Sequence, residues 1–364
     1  MTPAQKIAYD AVNKYGGIRP AAKELNQAHS GVARKFRAAK KFLEADDAIQ
    51  LAMSSSGMSD ASVLHSGWIK SDTSSLYFQM PKSPTEDIST VVRESFENIP
   101  ACPVILGPDN TDEDTITVYP LFDCHIGMKA YEPETGEAYD NEIAEERIVG
   151  GIGKCIARAP NSEDALVIIG GDVLHANDAT GMTQSGHVLD VAGQWHEALD
   201  CAIRTMAESI EKVAAKHRKV TVTCIRGNHD RDGYLAVLYA LLERYRTNNR
   251  IDVQKYSGDF FAMEFGKVML VTHHGDKAKA ERLVMHMADQ WPEMWGRTRF
   301  RHYFTGHLHH AKLIDIGGVQ VEQFRAIGGR DSYSASNAYS SKSDMQAITF
   351  SKLMGEISRV KVAL

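Results

Sequence analysis

The sequence predicts an α/β fold with a mainly parallel sheet, and three observations support this class. Helical stretches alternate with short β-branched runs over most of the chain. Five of these runs end in Gly, His, Asp or Asn, as strands do when a ligand binds at the carboxyl edge of an open α/β sheet. Hydrophobic residues make up 43% of the 364 residues, which is ample for a buried core.

Residues 1–45 are expected to form a separate all-α unit. Apolar residues repeat at helical spacing until Gly16-Gly17, which ends a first helix. A second short helix is expected at Pro20–Leu25, and Ser30 can cap a third. Helix, short helix, tight turn and third helix together resemble a bacterial helix-turn-helix, in which the last helix enters the major groove of DNA.

The charge of this unit favours nucleic-acid binding. It carries nine basic residues against three acidic ones, a net charge of +6, whereas the whole chain has a net charge of −6. Basic side chains on the third helix would contact phosphates, which gives affinity and orientation rather than sequence choice. They are Arg34, Lys35, Arg37, Lys40 and Lys41. The alternative is a three-helix oligomerisation or protein-docking module with a solvated basic face.

Residues 46–100 are interpreted as a Ser-rich linker of low hydrophobicity. Within it, residues 66–70 and 75–80 predict a small hairpin whose aromatic side chains pack on their own domain, with base stacking as the alternative. A short helix is expected at Ile88–Asn98.

Residues 101–364 predict the larger α/β domain. Helices are expected at Asn141–Ala159, Val188–Lys216, Tyr234–Tyr245 and Ala278–Trp291. The later strands are expected to complete a second sheet, and they are Phe260–Phe265, Lys312–Asp315, Val319–Phe324 and Gln346–Phe350.

Five strand-to-loop junctions in this domain deliver polar side chains to one predicted sheet edge. In chain order they carry Asp123 and His125, then Asp172 and His175, then Asn228 and His229, then His273 and His274, and finally His307 and His309. Imidazoles, carboxylates and an amide suit divalent Mn, Fe or Zn. Because these ligands are too many for one ion, we expect two ions that share a bridging carboxylate and leave positions open for water and substrate.

The ordered set D-x-H, G-D-x-x-H, G-N-H-D, H-x-G and G-H-x-H resembles the calcineurin-like metallophosphoesterase superfamily, from Thr115 to Gly318. The resemblance implies two packed β-sheets flanked by helices. It also implies two divalent metal ions, with manganese preferred and Fe, Zn, Mg or Ni as alternatives.

The resemblance implies the ligands of both ions. One ion would be bound by Asp123, His125, Asp172 and His309, and the other by Asp172 as the bridge, Asn228, His307 and a histidine of the His273-His274 pair. His273 is preferred because the ligand in this family usually follows its strand directly, and His274, which precedes Gly275, is the alternative. His229 would stabilise the transition state or protonate the leaving oxygen.

The second motif points to a branch of the superfamily. Many phosphatases of the family have G-D-x-x-D there, whereas this chain has His175 in the last position. With histidine at this position, the motif resembles that of the nuclease branch, which comprises the catalytic subunits of double-strand-break repair complexes. His175 would then place or protonate the phosphodiester, and the alternative is a histidine that caps the following turn.

These observations predict a two-metal DNA nuclease that uses a metal-bridging hydroxide, with RNA as an alternative substrate and exonuclease or endonuclease action left open. The alternatives are a nucleotide phosphodiesterase, a phosphomonoesterase or protein phosphatase, and a DNA-binding regulatory protein with a vestigial phosphoesterase domain.

Location and partners are less constrained. Five scattered cysteines without paired spacing favour a reducing cytoplasm. The sequence shows neither an apolar leader nor a membrane-spanning run, so we expect neither secretion nor a membrane partner. A homodimer or an ATPase partner is left open, and the domain combination suggests a phage or prokaryotic protein.

Overall fold

A computed structural model describes residues 3–40, 66–70, 75–79, 102, 104–182, 188–255 and 258–364. The chain divides into two compact units, Met1–Pro84 and Thr85–Leu364. The helix expected at Ile88–Asn98, most of the Ser-rich segment and Lys41 lie outside the described residues. Within the described part, no helix combines the length and the apolar character that crossing a membrane requires.

The described residues of the N-terminal unit include three helices: α1 (Pro3–Lys14), α2 (Ile18–Glu24) and α3 (residues 29–40). Small apolar side chains such as Ala8, Ala21 and Val32 form their shared core, which lets the helices approach closely. Helix α2 begins before the expected start at Pro20, and α3 begins one residue before Ser30, so Ser30 lies inside the helix rather than at its cap.

The same unit includes the expected hairpin. Strands β1 (Ser66–Lys70) and β2 (Ser75–Gln79) pair antiparallel, with Trp68 opposite Tyr77.

The second unit is built on a six-stranded sheet in the order β13-β12-β3-β4-β5-β6. Its strands are β3 (Asp112–Leu121), β4 (Ser162–Ile169), β5 (Lys219–Cys224), β6 (Ile251–Val253), β12 (Asp344–Ser351) and β13 (Gly355–Ala363). Strands β3 to β6 are parallel, because a helical crossover joins each to the next.

Helices cover one face of this sheet. They are α5 (Asn141–Arg158), α6 (Trp195–Lys216) and α7 (Gly233–Arg244), and the short helix α4 (Glu132–Thr135) precedes them in the chain. Helix α6 begins at Trp195, not at Val188 as expected, because Gly193 has a left-handed backbone and Gln194 forms a capping box with Glu197.

A five-stranded sheet in the order β10-β11-β9-β8-β7 forms the second layer. Its strands are β7 (Phe260–Phe265), β8 (Val268–His273), β9 (Phe300–Thr305), β10 (Lys312–Ile316) and β11 (Val319–Gln323). Helix α8 (Ala280–Gln290) packs on its outer face, followed by α9 (Pro292–Arg297), and a short helix α10 (Ser332–Ser336) follows β11.

The two sheets pack face to face. Inward side chains of β3 and β4, such as Val118 and Ile168, meet Leu270 and Phe304 of the second sheet in one buried cluster. The architecture of two packed sheets flanked by helices is therefore confirmed. The expectation that Gln346–Phe350 joins the second sheet is wrong, because β12 pairs antiparallel with β3 of the first sheet.

Strand direction brings one edge of both sheets together. Strands β3, β4 and β5 are mutually parallel, as are β8, β9 and β11, so the carboxyl end of each strand lies at the same edge of its sheet. All five polar junctions follow these strands.

Candidate metal centre

Aspartate and histidine side chains converge beyond this edge in three groups, each with ligand atoms within 4.8 Å of one another. The groups are Asp123 with His125 and His309, Asp172 with His274 and His307, and His125 with His175 and His229. The structure thus brings together the expected residues of all five junctions, with His274 rather than His273 from the fourth.

Unusual backbone conformations aim these side chains. Seven non-glycine residues of the described chain have positive φ, and five belong to the cluster. They are Asp123, His125, Asp172, His307 and His309, with φ between 48° and 71°. A left-handed conformation costs about 1–2 kcal/mol for an ordinary side chain. Its concentration here indicates that the chain tolerates strain to place ligands.

Asp123 presents an unsatisfied oxygen to the centre. Its Oδ2 accepts a hydrogen bond of 2.8 Å from the backbone N–H of His307. Its buried Oδ1 has no hydrogen-bond partner among the described residues, and it lies 3.6 Å from His309 Nε2 and 3.9 Å from His274 Nε2. A buried carboxylate oxygen between two imidazoles fits a cation ligand.

His274 is held with Nε2 toward the carboxylates. Its Nδ1 lies 3.0 Å from the carbonyl oxygen of Gly170, which fixes the N–H on that nitrogen. Nε2 then faces Asp172 Oδ2 at 3.1 Å and Asn228 Oδ1 at 3.2 Å. These contacts place two expected ligands of one ion, Asp172 and Asn228, around an imidazole nitrogen of a third residue, His274.

The cluster attracts positive charge. Burial alone would lower the pKa of His274, but the charge and hydrogen bond of Asp172 and the charge of Asp123 raise that pKa to about 10. Burial would raise the pKa of Asp172, yet the charge of His274 holds it well below its usual value. A proton held so firmly between carboxylates occupies the kind of position that a metal cation takes when these ligands are deprotonated.

His125 and His309 form the other half of the centre. Their Nε2 atoms lie 3.1 Å apart, a separation that suits two nitrogens bound to one ion at bond lengths of about 2.1 Å. Burial and the neighbouring imidazoles of His229 and His309 keep the pKa of His125 well below its usual value, so this ring is neutral and able to bind metal.

His175 lies behind this pair, fully buried. Its Nδ1 is 3.3 Å from Nδ1 of His125, and its ring stacks on that of His229 at a centroid distance of 5.3 Å. Burial, followed by the charge of His229, lowers the pKa of His175 to about 3. The ring therefore faces the cluster and not a turn.

His229 lies at the half-buried side of the centre. Its Nδ1 is 2.7 Å from the carbonyl oxygen of His175, and its backbone N–H donates to Asp172 Oδ1 at 2.8 Å. With Nδ1 bound to a carbonyl, Nε2 is the ring nitrogen that remains for substrate.

His273, preferred from the sequence, points away from the cluster. It is the last residue of β8, and side chains alternate along a strand, so Leu270 faces the first sheet while Val271 and His273 face helix α8. The His273 ring stacks on Phe260 at 4.6 Å, and its Nδ1 accepts the backbone N–H of Gly275. The geometry favours His274, the residue that directly follows the strand.

Asp230 is a residue whose role we did not anticipate. It is fully buried, and its carboxylate accepts backbone N–H bonds from Gly227 at 2.8 Å and Val173 at 2.7 Å. Burial, followed by the charge of Asp172, raises the pKa of Asp230 to about 6. Asp230 ties the second and third junctions together, and its place in the G-N-H-D motif was the available signal.

The expected nucleic-acid-binding residues lie on α3 in the N-terminal unit. Arg34, Arg37 and Lys40 are exposed. Lys35 is half-buried and donates to Gln27 Oε1 at 2.9 Å. The helix therefore presents basic side chains to solvent.

Comparison with known proteins identifies the family. A family profile described as calcineurin-like phosphoesterase matches residues 123–321. No curated protein matches the chain. Similar solved structures include a dimetal phosphatase from Danio rerio (8% identity, 69% of this chain and 99% of that one, TM-score 0.38). An archaeal phosphodiesterase (10%, 68% and 99%, TM-score 0.35) and a phosphoesterase from E. coli (12%, 67% and 98%, TM-score 0.32) are further examples.

Proposed function

The chain belongs to the calcineurin-like phosphoesterase family, and from this membership we propose that it is a manganese-dependent nuclease that hydrolyses phosphodiester bonds in DNA. Membership itself makes the protein a hydrolase of phosphoester bonds that uses divalent metals. DNA as the substrate is the further step that the proposal takes.

The position of His175 carries the proposal. Histidine at this point of the second motif is the feature by which the sequence resembles nucleases rather than monoesterases. Its ring contacts His125, and its carbonyl oxygen accepts the Nδ1–H of His229, which supports a role inside the centre instead of a turn cap. Because the ring is fully buried, we assign it to positioning these two histidines and not to contacting DNA.

The donor set fits two cations. We propose that Asp123, His125, Asp172 and His309 hold one, and that Asp172, Asn228, His274 and His307 hold the other. When bound, the cations supply Lewis acidity for the phosphate and make water nucleophilic at neutral pH.

His229 contributes a proton. The hydrogen bond from Nδ1 to the carbonyl oxygen of His175 fixes its ring, so that Nε2 is the ring nitrogen left for substrate. We propose that protonated Nε2 stabilises charge on the phosphate and protonates the leaving oxygen. His229→Ala is then expected to lower kcat while metal remains bound.

The N-terminal unit supports DNA as the substrate. A short helix followed by a turn and a basic helix has the order of a helix-turn-helix, and the exposed Arg34 and Arg37 suit phosphate contacts. In this proposal the unit holds the enzyme on nucleic acid and the centre cleaves it.

The test is Mn²⁺-dependent cleavage of end-labelled single- and double-stranded DNA by the wild type, His175→Asn, Asp172→Asn and the surface control His196→Asn. We expect cleavage by the wild type and the control, loss of both activity and metal in Asp172→Asn, and a lower kcat with retained metal in His175→Asn. Hydrolysis of a small phosphodiester without cleavage of any DNA would instead identify a nucleotide phosphodiesterase.

A further inference from the structure

A cavity of about 490 Å³ opens beside the metal centre, and His307 forms part of its wall. It lies at the carboxyl edge of the second sheet, between the ends of β9 and β11 and the start of α8. This volume is in the range of small-molecule sites, about 300–1,000 Å³. A ligand in the cavity would therefore lie next to a phosphate at the centre.

The inner wall of the cavity is apolar. Leu283, Ile314 and Val321 line it, and all three belong to the cluster between the second sheet and α8. Ala278 and Ala280 also line the cavity and pack against the same cluster. Such a wall suits the flat faces of a heterocyclic base.

Charged side chains surround the mouth of the cavity. Lys277, Lys279 and Lys312 line it together with Asp276 and Glu281. Lys277 lies 3.4 Å from Asp259 Oδ1, so its charge is partly compensated there. Lys279 and Lys312 are exposed, which leaves them suited to the phosphates of a polynucleotide.

A polar edge completes the cavity at the strand ends. Gln323 lines it and donates from Nε2 to the carbonyl oxygen of His310 at 2.6 Å, a bond that does not use its own carbonyl oxygen. An amide carbonyl can accept a hydrogen bond from a base. The same bond connects the cavity wall to the loop that carries His307 and His309.

We infer that this cavity binds the base and sugar of the nucleotide attached to the scissile phosphate. The inference rests on the proposed function, because it takes the phosphate to lie at the centre beside His307. An apolar wall, a polar edge and lysines at the mouth match the three parts of a nucleotide. Substrate recognition then includes the nucleoside and not the phosphate alone.

The test compares two ligands by titration calorimetry with the full chain in Mn²⁺. Thymidine 5′-monophosphate has a base, and 2-deoxyribose 5-phosphate lacks it. We expect the wild type to bind the nucleotide about tenfold more tightly, which corresponds to about 1.4 kcal/mol. Ala280→Trp fills the cavity and is expected to abolish this difference.

A second variant keeps the inference open to refutation if Ala280→Trp fails to fold. Lys279→Ala combined with Lys312→Ala is expected to weaken binding of thymidine dinucleotide more than that of the mononucleotide. Arg282→Ala is the matched control, because Arg282 is exposed on α8 and does not line the cavity. The control is expected to bind both nucleotides as the wild type does.

These measurements need no turnover, so the two hypotheses can fail separately. Equal affinity of the wild type for the nucleotide and the sugar phosphate overturns the inference even if DNA is cleaved. Base-dependent binding that Ala280→Trp removes supports the cavity even if no DNA is cleaved, and only the nuclease proposal then fails.

Discussion

At the scale of the residue, the face of a strand on which a side chain lies decides its chemistry. His273 and His274 are adjacent, yet one ring packs on Phe260 and the other lies 3.1 Å from Asp172. The period of two along a strand separates them. The same rule separates the buried residues of β8 into two different cores, one between the sheets and one beneath α8.

This pair gives a matched test of the metal ligand. His274→Ala is expected to lose bound Mn²⁺ and to lower phosphodiester hydrolysis by about 100-fold or more, since it removes a ligand whose position is fixed by Gly170. His273→Ala is expected to retain metal and activity with a small loss of stability. Metal content by mass spectrometry and kcat/KM distinguish the two, and loss of metal in His273→Ala alone would restore the ligand first preferred.

Part of the centre was predictable from the sequence, because several polar residues directly after a buried strand indicate a functional site at the sheet edge. That pattern places Asp123, Asp172 and His307 at one sheet edge, and their roles as metal ligands are what the family resemblance implies. The choice within the His273-His274 pair was not, since it depends on where β8 ends, and strand ends shift by one residue. The G-N-H-D motif marks Asp230 as a polar residue after the strand, but it does not identify its partners, which are backbone N–H groups of the distant second junction.

At the scale of the element, His217 joins the end of helix α6 to the first sheet. Its Nε2 lies 2.8 Å from the hydroxyl of Tyr119 and its Nδ1 lies 2.8 Å from the carbonyl oxygen of Ser162. The side chain is fully buried, and burial lowers its pKa from 6.5 to about 4. Between pH 4 and pH 6.5 the ring is therefore neutral in the folded protein and protonated in the unfolded chain.

The free energy of unfolding is therefore expected to decrease as the pH is lowered. A pKa lowered by folding means that the stability it contributes is present above pH 6.5 and is lost as pH falls toward 4. From pH 7 to pH 4.5 this one group accounts for a loss of about 2 kcal/mol. His217→Gln removes the titrating ring, so this variant is expected to lose less stability than the wild type over this pH range. Urea unfolding measures the difference. Equal losses would show that His217 does not titrate this way.

Local pattern and pairing differ in how well the sequence specifies them. Strand β7 (Phe260–Phe265) has its expected bounds because its residues alone determine an extended run. The pairing of β12 with β3 joins residues more than 200 positions apart, and nothing in β12 itself selects that neighbour. The start of helix α6 was predicted too far toward the N-terminus because the apolar spacing extends upstream of Gly193. The left-handed backbone of Gly193 places that residue in the loop before the helix.

At the scale of the whole molecule, charge is divided unevenly along the chain. The first 45 residues have a net charge of +6 and the rest a net charge of −12. In the proposed function, the basic unit offsets the repulsion between DNA and the acidic remainder of the chain.

This division predicts how DNA binding depends on salt. Arg34→Ala combined with Arg37→Ala is expected to weaken DNA binding at all sequences and to reduce the slope of log affinity against log salt by about 2, because two phosphate contacts are lost. Lys6→Ala combined with Lys14→Ala on α1 is the charge-matched control. Fluorescence anisotropy over a range of salt measures both, and an equal change in the two pairs would contradict a specific role for α3.

The metal centre spans both layers of the fold. Asp123, His125, Asp172 and Asn228 follow strands of the six-stranded sheet, whereas His274, His307 and His309 follow strands of the five-stranded sheet. A cation shared between them is a cross-link that exists only in the folded protein. Its binding free energy is then linked to folding, so the thermal midpoint rises with free metal concentration. Metal supply in the cell would set the lifetime of the folded enzyme as well as its catalytic rate.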